Sequence, residues 1–120
     1  MRNYDGSFRR AYSISIDKGM TWDNIKVDNF LIDPVCEASI LSIKEKGIVV
    51  FCNPASLKRE NLTLKVSYDD CKNWSKSKVI YSGPSAYSDM AFLDNNILCV
   101  YENGETSAYE KISFTKVILE

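Results

Sequence analysis

Tyrosine, arginine, carboxylate and cysteine are the side chains in this sequence with the means to do chemistry; histidine is absent. Without histidine, Ser-His and Cys-His nucleophilic schemes drop out, and so does the commonest metal ligand. The four cysteines, Cys36, Cys52, Cys71 and Cys99, form no C-x-x-C pair, so their spacing does not suit zinc. No metal or cofactor is expected. Cys52 and Cys99 fall inside apolar runs and read as buried free thiols, with disulfides as the alternative. The stretch Gly83-Pro84-Ser85-Ala86-Tyr87-Ser88-Asp89-Met90 opens on a Gly-Pro turn signal and sets Tyr87 at the head of an apolar run. Taken alone, an aromatic there is a core residue.

The elements that must position these groups are β throughout. Arg10 to Ile16 and Asn61 to Tyr68 alternate apolar and polar residues, as half-buried strands do. Ile48-Val49-Val50-Phe51-Cys52 and Ile97-Leu98-Cys99-Val100-Tyr101 are short apolar runs bounded by turn residues, predicted as strands buried on both faces. Lys111 to Leu119 reads as a further strand, and Lys44-Glu45-Lys46-Gly47 as a hairpin tip. No helix is expected. The 120 residues suit one domain, with 45% apolar and 26% charged residues. A formal net charge of −1 gives no electrostatic case for nucleic acid or an anionic membrane as partner. No stretch reads as a secretory leader or a membrane span.

The strands repeat. Tyr87 follows Glu37 by 50 residues and Ile112 follows Leu62 by 50, which is the period of propeller blades of four antiparallel strands. A second feature repeats with an offset of 52. Ser15-Ile16-Asp17-Lys18-Gly19-Met20-Thr21-Trp22 fits S-x-D-x-G-x-T-W, and Ser67-Tyr68-Asp69-Asp70-Cys71-Lys72-Asn73-Trp74 fits it in degraded form. The logic is a self-contained turn: the aspartate accepts backbone N–H groups, glycine permits positive φ, and tryptophan packs beneath. These are Asp boxes, so Asp17 and Asp69 are structural rather than catalytic acids.

With the Asp boxes, the blade repeat and the Tyr87 stretch together, the chain resembles the exo-α-sialidases (neuraminidases), most of all the animal lysosomal type and its bacterial relatives. The matching segments include Arg2-Asn3-Tyr4, Asp33-Pro34-Val35-Cys36-Glu37-Ala38-Ser39, Asn53-Pro54-Ala55, Arg59-Glu60-Asn61-Leu62-Thr63-Leu64, Gly83 to Met90, and Val100-Tyr101-Glu102. The resemblance implies an all-β fold, a partial six-bladed β-propeller of about two to three blades, with residues 1–120 as the C-terminal part of the propeller domain. It implies that Tyr87 is the catalytic nucleophile, that Arg2 and Arg59 belong to the arginine triad holding the substrate carboxylate, and that Glu102 orients the remaining arginine. The residue types suit the chemistry. Guanidinium forks bind a carboxylate in planar pairs. A neutral phenol escapes the repulsion an anionic nucleophile would meet from that carboxylate, and sialidases are a known exception to two-carboxylate glycoside hydrolysis. A phenol of ordinary pKa, about 10, needs an adjacent base.

In the resembled family, one triad arginine, the acid/base aspartate and the glutamate partner of the tyrosine lie in segments with no counterpart here. Glu37, at the blade position equivalent to Tyr87, is the candidate for the pocket rim. The expected function is retaining hydrolysis of terminal sialic acid from glycoproteins, glycolipids and oligosaccharides, with the 120 residues alone inactive. The second reading is a non-catalytic propeller module that binds glycan or protein. The expected partners are a sialylated glycan and whatever blades or chain complete the fold, without nucleic acid and with no sign of a membrane. The resemblance would place a full-length protein in a lysosomal, secretory or membrane-associated setting. Arg9 and Arg10 read as a solvated strand edge, Lys58 as an exposed neighbour, and Tyr12, Tyr68, Tyr81 and Tyr109 as packing residues.

Overall fold

The computed structural model describes residues 1–119. The strands are β1 (Arg9–Tyr12), β2 (Lys26–Ile32), β3 (Ser39–Ile43), β4 (Ile48–Pro54), β5 (Glu60–Ser67), β6 (Lys76–Leu93), β7 (Asn96–Asn103) and β8 (Lys111–Ile118). The only helical element among the described residues is a 3-10 turn at Lys44–Lys46, closed by Gly47 at φ 63°, on the predicted hairpin tip. All pairings are antiparallel: β1 with β2 in one sheet, and β3 to β8 in sequence order in the other.

The joint between blades is one strand. The first half of β6, from Lys76 to Pro84, pairs with β5 and closes a four-stranded blade; Ser85 to Leu93 pairs with β7 and opens the next. The sequence predicted a turn at Gly83-Pro84, and the structure corrects this: β6 runs through it. Proline lacks only the donor a ladder would need, and its φ is compatible with extended chain. Its carbonyl is used, accepting the Gly104 N–H at 3.1 Å, while the Ser85 N–H donates to Arg59 O at 2.9 Å. The Tyr81 ring lies over Gly83; a Cβ there would stand 2.9 Å from that ring, which would have to shift.

The two blades pack face to face. Ile43, Ile48, Val50, Leu64 and Val66 of the first meet Ile97 and Val117 of the second. A second layer joins Cys52 and Leu62 to Cys99 and Tyr101. Val50, Leu62 and Ile97 are fully buried, each contributing about 1.5–3 kcal/mol. All four cysteines are free. β4 is buried almost throughout, as its apolar run predicted. β7 is not: Val100 is exposed, together with Ile112, Phe114 and Ile118 of β8, so this blade has one buried face and one open apolar face.

Other expectations are corrected. β1 ends at Tyr12 rather than Ile16. The Asp23 carboxylate takes the Ile14 N–H at 2.7 Å and the Ser13 hydroxyl at 2.9 Å, drawing that segment into the Asp-box turn. Arg9 keeps an exposed side, but Arg10 is buried and ion-paired with Asp33 at 3.3 Å. Both Asp boxes close as expected. Asp17 accepts the Thr21 N–H at 2.8 Å and the Thr21 hydroxyl; Asp69 accepts the Asn73 N–H at 2.8 Å and the Asn73 side-chain amide at 2.7 Å. Trp74 packs on Phe51 with ring centroids 5.7 Å apart, whereas Trp22 stays exposed.

The Thr21 hydroxyl and N–H, with the Ser15 hydroxyl, hold Asp17 at about 2, below its ordinary 3.8. A depressed folded-state pKa stabilises the fold above the unfolded value and loses that contribution as pH falls through the folded one. Asp17 therefore contributes fully above about pH 4 and ceases to contribute near its folded pKa of about 2. Asp17→Asn is expected to flatten the acid limb of a Tm-against-pH curve; an unchanged limb would contradict the assignment.

Candidate functional site

The site is built where the N-terminal segment, the corner between β2 and β3, the start of β5 and the middle of β6 meet. Tyr87 stands on β6 just past the change of pairing partner, with its ring partly exposed. Arg2 donates from Nη2 to Tyr87 Oη at 2.8 Å and from Nη1 to Tyr4 Oη at 3.3 Å. Its Cζ lies 5.6 Å from the Tyr87 ring centroid, and that of Arg59 lies 5.8 Å from the same centroid. Two guanidinium groups separated by 57 residues of chain thus converge on one phenol, at cation–π distance.

Each cation is held from behind. Asp33, fully buried at the end of β2, accepts the Asn3 N–H at 3.1 Å, the Cys36 N–H at 3.0 Å and the Arg10 guanidinium. The Asn3 side chain donates to Arg9 O at 2.9 Å, so the segment carrying Arg2 is tied to both β1 and the corner. Arg10 also donates to Cys36 O at 2.6 Å. Arg59 donates to Val35 O at 3.2 Å and to Tyr109 Oη at 2.5 Å. Val35 has φ 57°, a costly conformation for a β-branched residue, and it aims its carbonyl at the guanidinium.

Two carboxylates bond the backbone at Tyr87 and Ser88. Glu102, on β7, accepts the Tyr87 N–H at 3.2 Å, and Glu37 accepts the Ser88 N–H at 3.1 Å. No ion pair joins Glu102 to an arginine among the described residues. A shallow groove of about 540 Å³ is lined by Glu37, Tyr87, Ser88, Asp89, Val100, Tyr101, Glu102 and Ile112. Burial pushes the Glu37 carboxyl above its ordinary range, against the Ser88 N–H and Arg10, which pull it down. Arg2 is pushed up by its bonds to Tyr4 and Tyr87. At Arg59 burial opposes the charge, but Cys36 and the bond to Tyr109 outweigh it and the net shift is upward. The described residues hold no cluster of His, Cys, Asp and Glu suited to a metal. The arrangement offers a planar anion two guanidiniums beside one phenol ring, whose oxygen is bonded by Arg2.

All five candidates from the sequence, Arg2, Glu37, Arg59, Tyr87 and Glu102, fall within this region. Sequence reasoning missed Asp33, Arg10 and Tyr109. A signal existed for two of them. Asp33-Pro34 stands 50 residues before Gly83-Pro84, so an acid occupies a repeat position that needs none; Arg59 stands 50 residues before Tyr109.

Residues 1–100 match the model of a family described as BNR repeat-like domain. A sialidase of Micromonospora viridifaciens is 32% identical over 111 residues, covering 83% of this chain and 17% of that protein. Sialidase-4 of Mus musculus is 43% identical over 51 residues, 38% of this chain and 11% of the relative. Among solved structures, a Hadza microbial sialidase superposes with TM-score 0.74 at 28% identity, over 89% of this chain and 22% of that one. The intramolecular trans-sialidase from Ruminococcus gnavus superposes with TM-score 0.69 at 17% identity over 95% of this chain and 29% of that one, a likeness of fold. The chain therefore spans less than a third of each of these proteins. Together they identify the all-β architecture as part of a propeller.

Asp33→Ala leaves Arg10 buried without its counter-charge and two N–H groups without an acceptor. The expected cost is about 3–5 kcal/mol in a urea titration. Lys58→Ala, on the exposed turn before Arg59, is expected to stay within about 0.5 kcal/mol.

Proposed function

The chain belongs to the BNR repeat-like domain family and is sialidase-related, and on that footing we propose that it forms the C-terminal part of an exo-α-sialidase propeller. The substrate class is a glycan ending in sialic acid. The observation that carries this reading is the convergence of Arg2 and Arg59 on Tyr87, with Arg2 Nη2 2.8 Å from the phenol oxygen. Sialic acid bears its carboxylate on the anomeric carbon, so guanidiniums that grip the carboxylate bring that carbon to whatever lies between them. The Tyr87 ring centroid lies 5.6 Å from the Arg2 Cζ and 5.8 Å from the Arg59 Cζ, and its Oη is 2.8 Å from Arg2 Nη2.

In the proposed reaction Tyr87 Oη attacks the anomeric carbon and the aglycone leaves with a proton. Water then cleaves the sugar–tyrosine bond, with net retention. Arg2 has two tasks: it holds the substrate carboxylate, and its positive charge beside Oη favours the phenolate that must develop. Glu102 and Glu37 accept the N–H groups of Tyr87 and Ser88 and fix the height of β6 at the site. The proton donor for the aglycone and the base for the phenol belong, in this reading, to further blades.

One observation favours a second reading for these residues by themselves. Among the described residues no carboxylate is hydrogen-bonded to Tyr87 Oη, since Glu37 and Glu102 are occupied by backbone N–H groups. A module so arranged binds a sialylated ligand without turning it over. Release of a fluorescent aglycone from a sialoside separates the two. The 120-residue chain is expected to give none, and a propeller completed around it is expected to be active. Tyr87→Phe in that complete propeller should lower kcat by at least about 10³-fold while leaving the melting curve intact. Undiminished turnover in that variant would rule Tyr87 out as nucleophile.

A further inference from the structure

The loop between β7 and β8 is specified far more tightly than a connection requires. Gly104 has no room for a side chain: a Cβ would lie 2.0 Å from Ser107 O. Its N–H donates to Pro84 O at 3.1 Å and its carbonyl accepts the Tyr81 hydroxyl at 2.7 Å. Glu110 accepts the N–H groups of Glu105, Thr106 and Ser107 at 3.0, 2.9 and 2.7 Å, and the Thr106 hydroxyl at 2.6 Å. Those bonds hold the Glu110 carboxyl at about 2, so it stays ionised at any ordinary pH. Ala108 is buried against Cys36 and Ala86, the neighbour of Tyr87. Between Ala108 and Glu110 this clamped loop presents Tyr109.

The Tyr109 ring is 61% exposed. A packing role would bury it. Among the described residues its one side-chain hydrogen bond is from Arg59 Nη1, at 2.5 Å. The phenol oxygen is the acceptor in that bond, so its own proton is free to be donated elsewhere. Arg59 is thereby fixed from two sides, by Val35 O on Nη2 and by Tyr109 Oη on Nη1, with its plane near the Tyr87 ring. A guanidinium loses rotational freedom when it binds an oxyanion, and one already oriented loses less.

We propose that Tyr109 is a positioning residue of the anion site: it locks the Arg59 guanidinium in its binding orientation and adds its hydroxyl as a further donor to the ligand carboxylate. This rests on the reading of Arg2, Arg59 and Tyr87 as a carboxylate-binding site. Tyr109 occupies in the second blade the repeat position that Arg59 occupies in the first. The two blades thus contribute a cation and its orienting phenol from equivalent places.

The test uses the full 120-residue chain and two readouts. The first is the ¹⁵N–¹H signal of Arg59 Nε–Hε, assigned through Arg59→Lys. The second is the Kd for N-acetylneuraminic acid. Tyr109→Phe keeps the exposed ring and removes only the hydroxyl, so the fold and the Tm are expected to hold. The variant is expected to move and broaden the Arg59 signal and to weaken the sugar about three- to tenfold, the range of one hydrogen bond. A reference ligand with the carboxylate esterified should be insensitive to the substitution. An Arg59 signal unchanged in Tyr109→Phe would overturn the proposal whatever the sugar does, and so would an altered signal with an unchanged Kd. If the wild-type chain ignores the sugar, the carbohydrate reading of the site fails, and with it the donor role; the arginine signal still decides whether Tyr109 positions Arg59.

Discussion

The buried carboxylate of Asp33 is the constraint on which the site depends. It has no contact with solvent, and it gathers groups from three separate segments: the Asn3 N–H, the Cys36 N–H and the Arg10 guanidinium. A buried ion pair of this kind returns little net stability, because desolvating both charges offsets their attraction. Its contribution is geometric. Bonding Asn3 places Arg2, and bonding Cys36 shapes the corner whose Val35 carbonyl holds Arg59 and whose next residue is Glu37. Arg10 itself is anchored by Cys36 O and lies 5.7 Å from the Phe51 ring centroid. Among the described residues its Nε has no hydrogen-bond partner, a cost accepted in the network that holds it.

The second constraint is the continuity of β6. Because one strand serves two blades, Tyr87 lies between paired stretches on either side, at an irregularity in the ladder between Ser85 and Ser88. Glu60, next to Arg59, pairs with Pro84, and Ser85 pairs with Asn103. Strand geometry then carries Tyr87 to the same level as Glu102, whose carboxylate meets its N–H. A binding group carried on paired strands is held more firmly than one on a free loop. Arg2, Glu37, Arg59 and Tyr109 come from irregular segments, and those carrying Arg2 and Tyr109 are clamped by Asp33 and Glu110.

What could be read from the sequence was local or periodic. The Asp boxes were legible because every bond in them closes within a few residues, from Ser15 to Thr21 and from Ser67 to Asn73. Glu37 and Tyr87 were legible as equivalent positions because the blade repeat is intact between them. The burial of Arg10 was not, since its partner lies 23 residues away, just past the end of β2, and nothing in the Arg9-Arg10 pair says which one turns inward. Gly83-Pro84 misled because its turn chemistry is real but weaker than pairing on both sides of the dipeptide. The repeat makes Tyr109 equivalent to Arg59 but says nothing of its exposure; the folded loop shows that its ring is left outside and its hydroxyl reaches Arg59.

The central claim is that Arg2, Arg59 and Tyr87 form one site for a carboxylate-bearing sugar. Its most direct measurement is a crystal structure of the chain with N-acetylneuraminic acid bound. The account predicts the carboxylate oxygens within about 3 Å of both guanidiniums and the anomeric carbon facing Tyr87 Oη. A sugar bound with its carboxylate away from these arginines, or on another face of the blades, would contradict it.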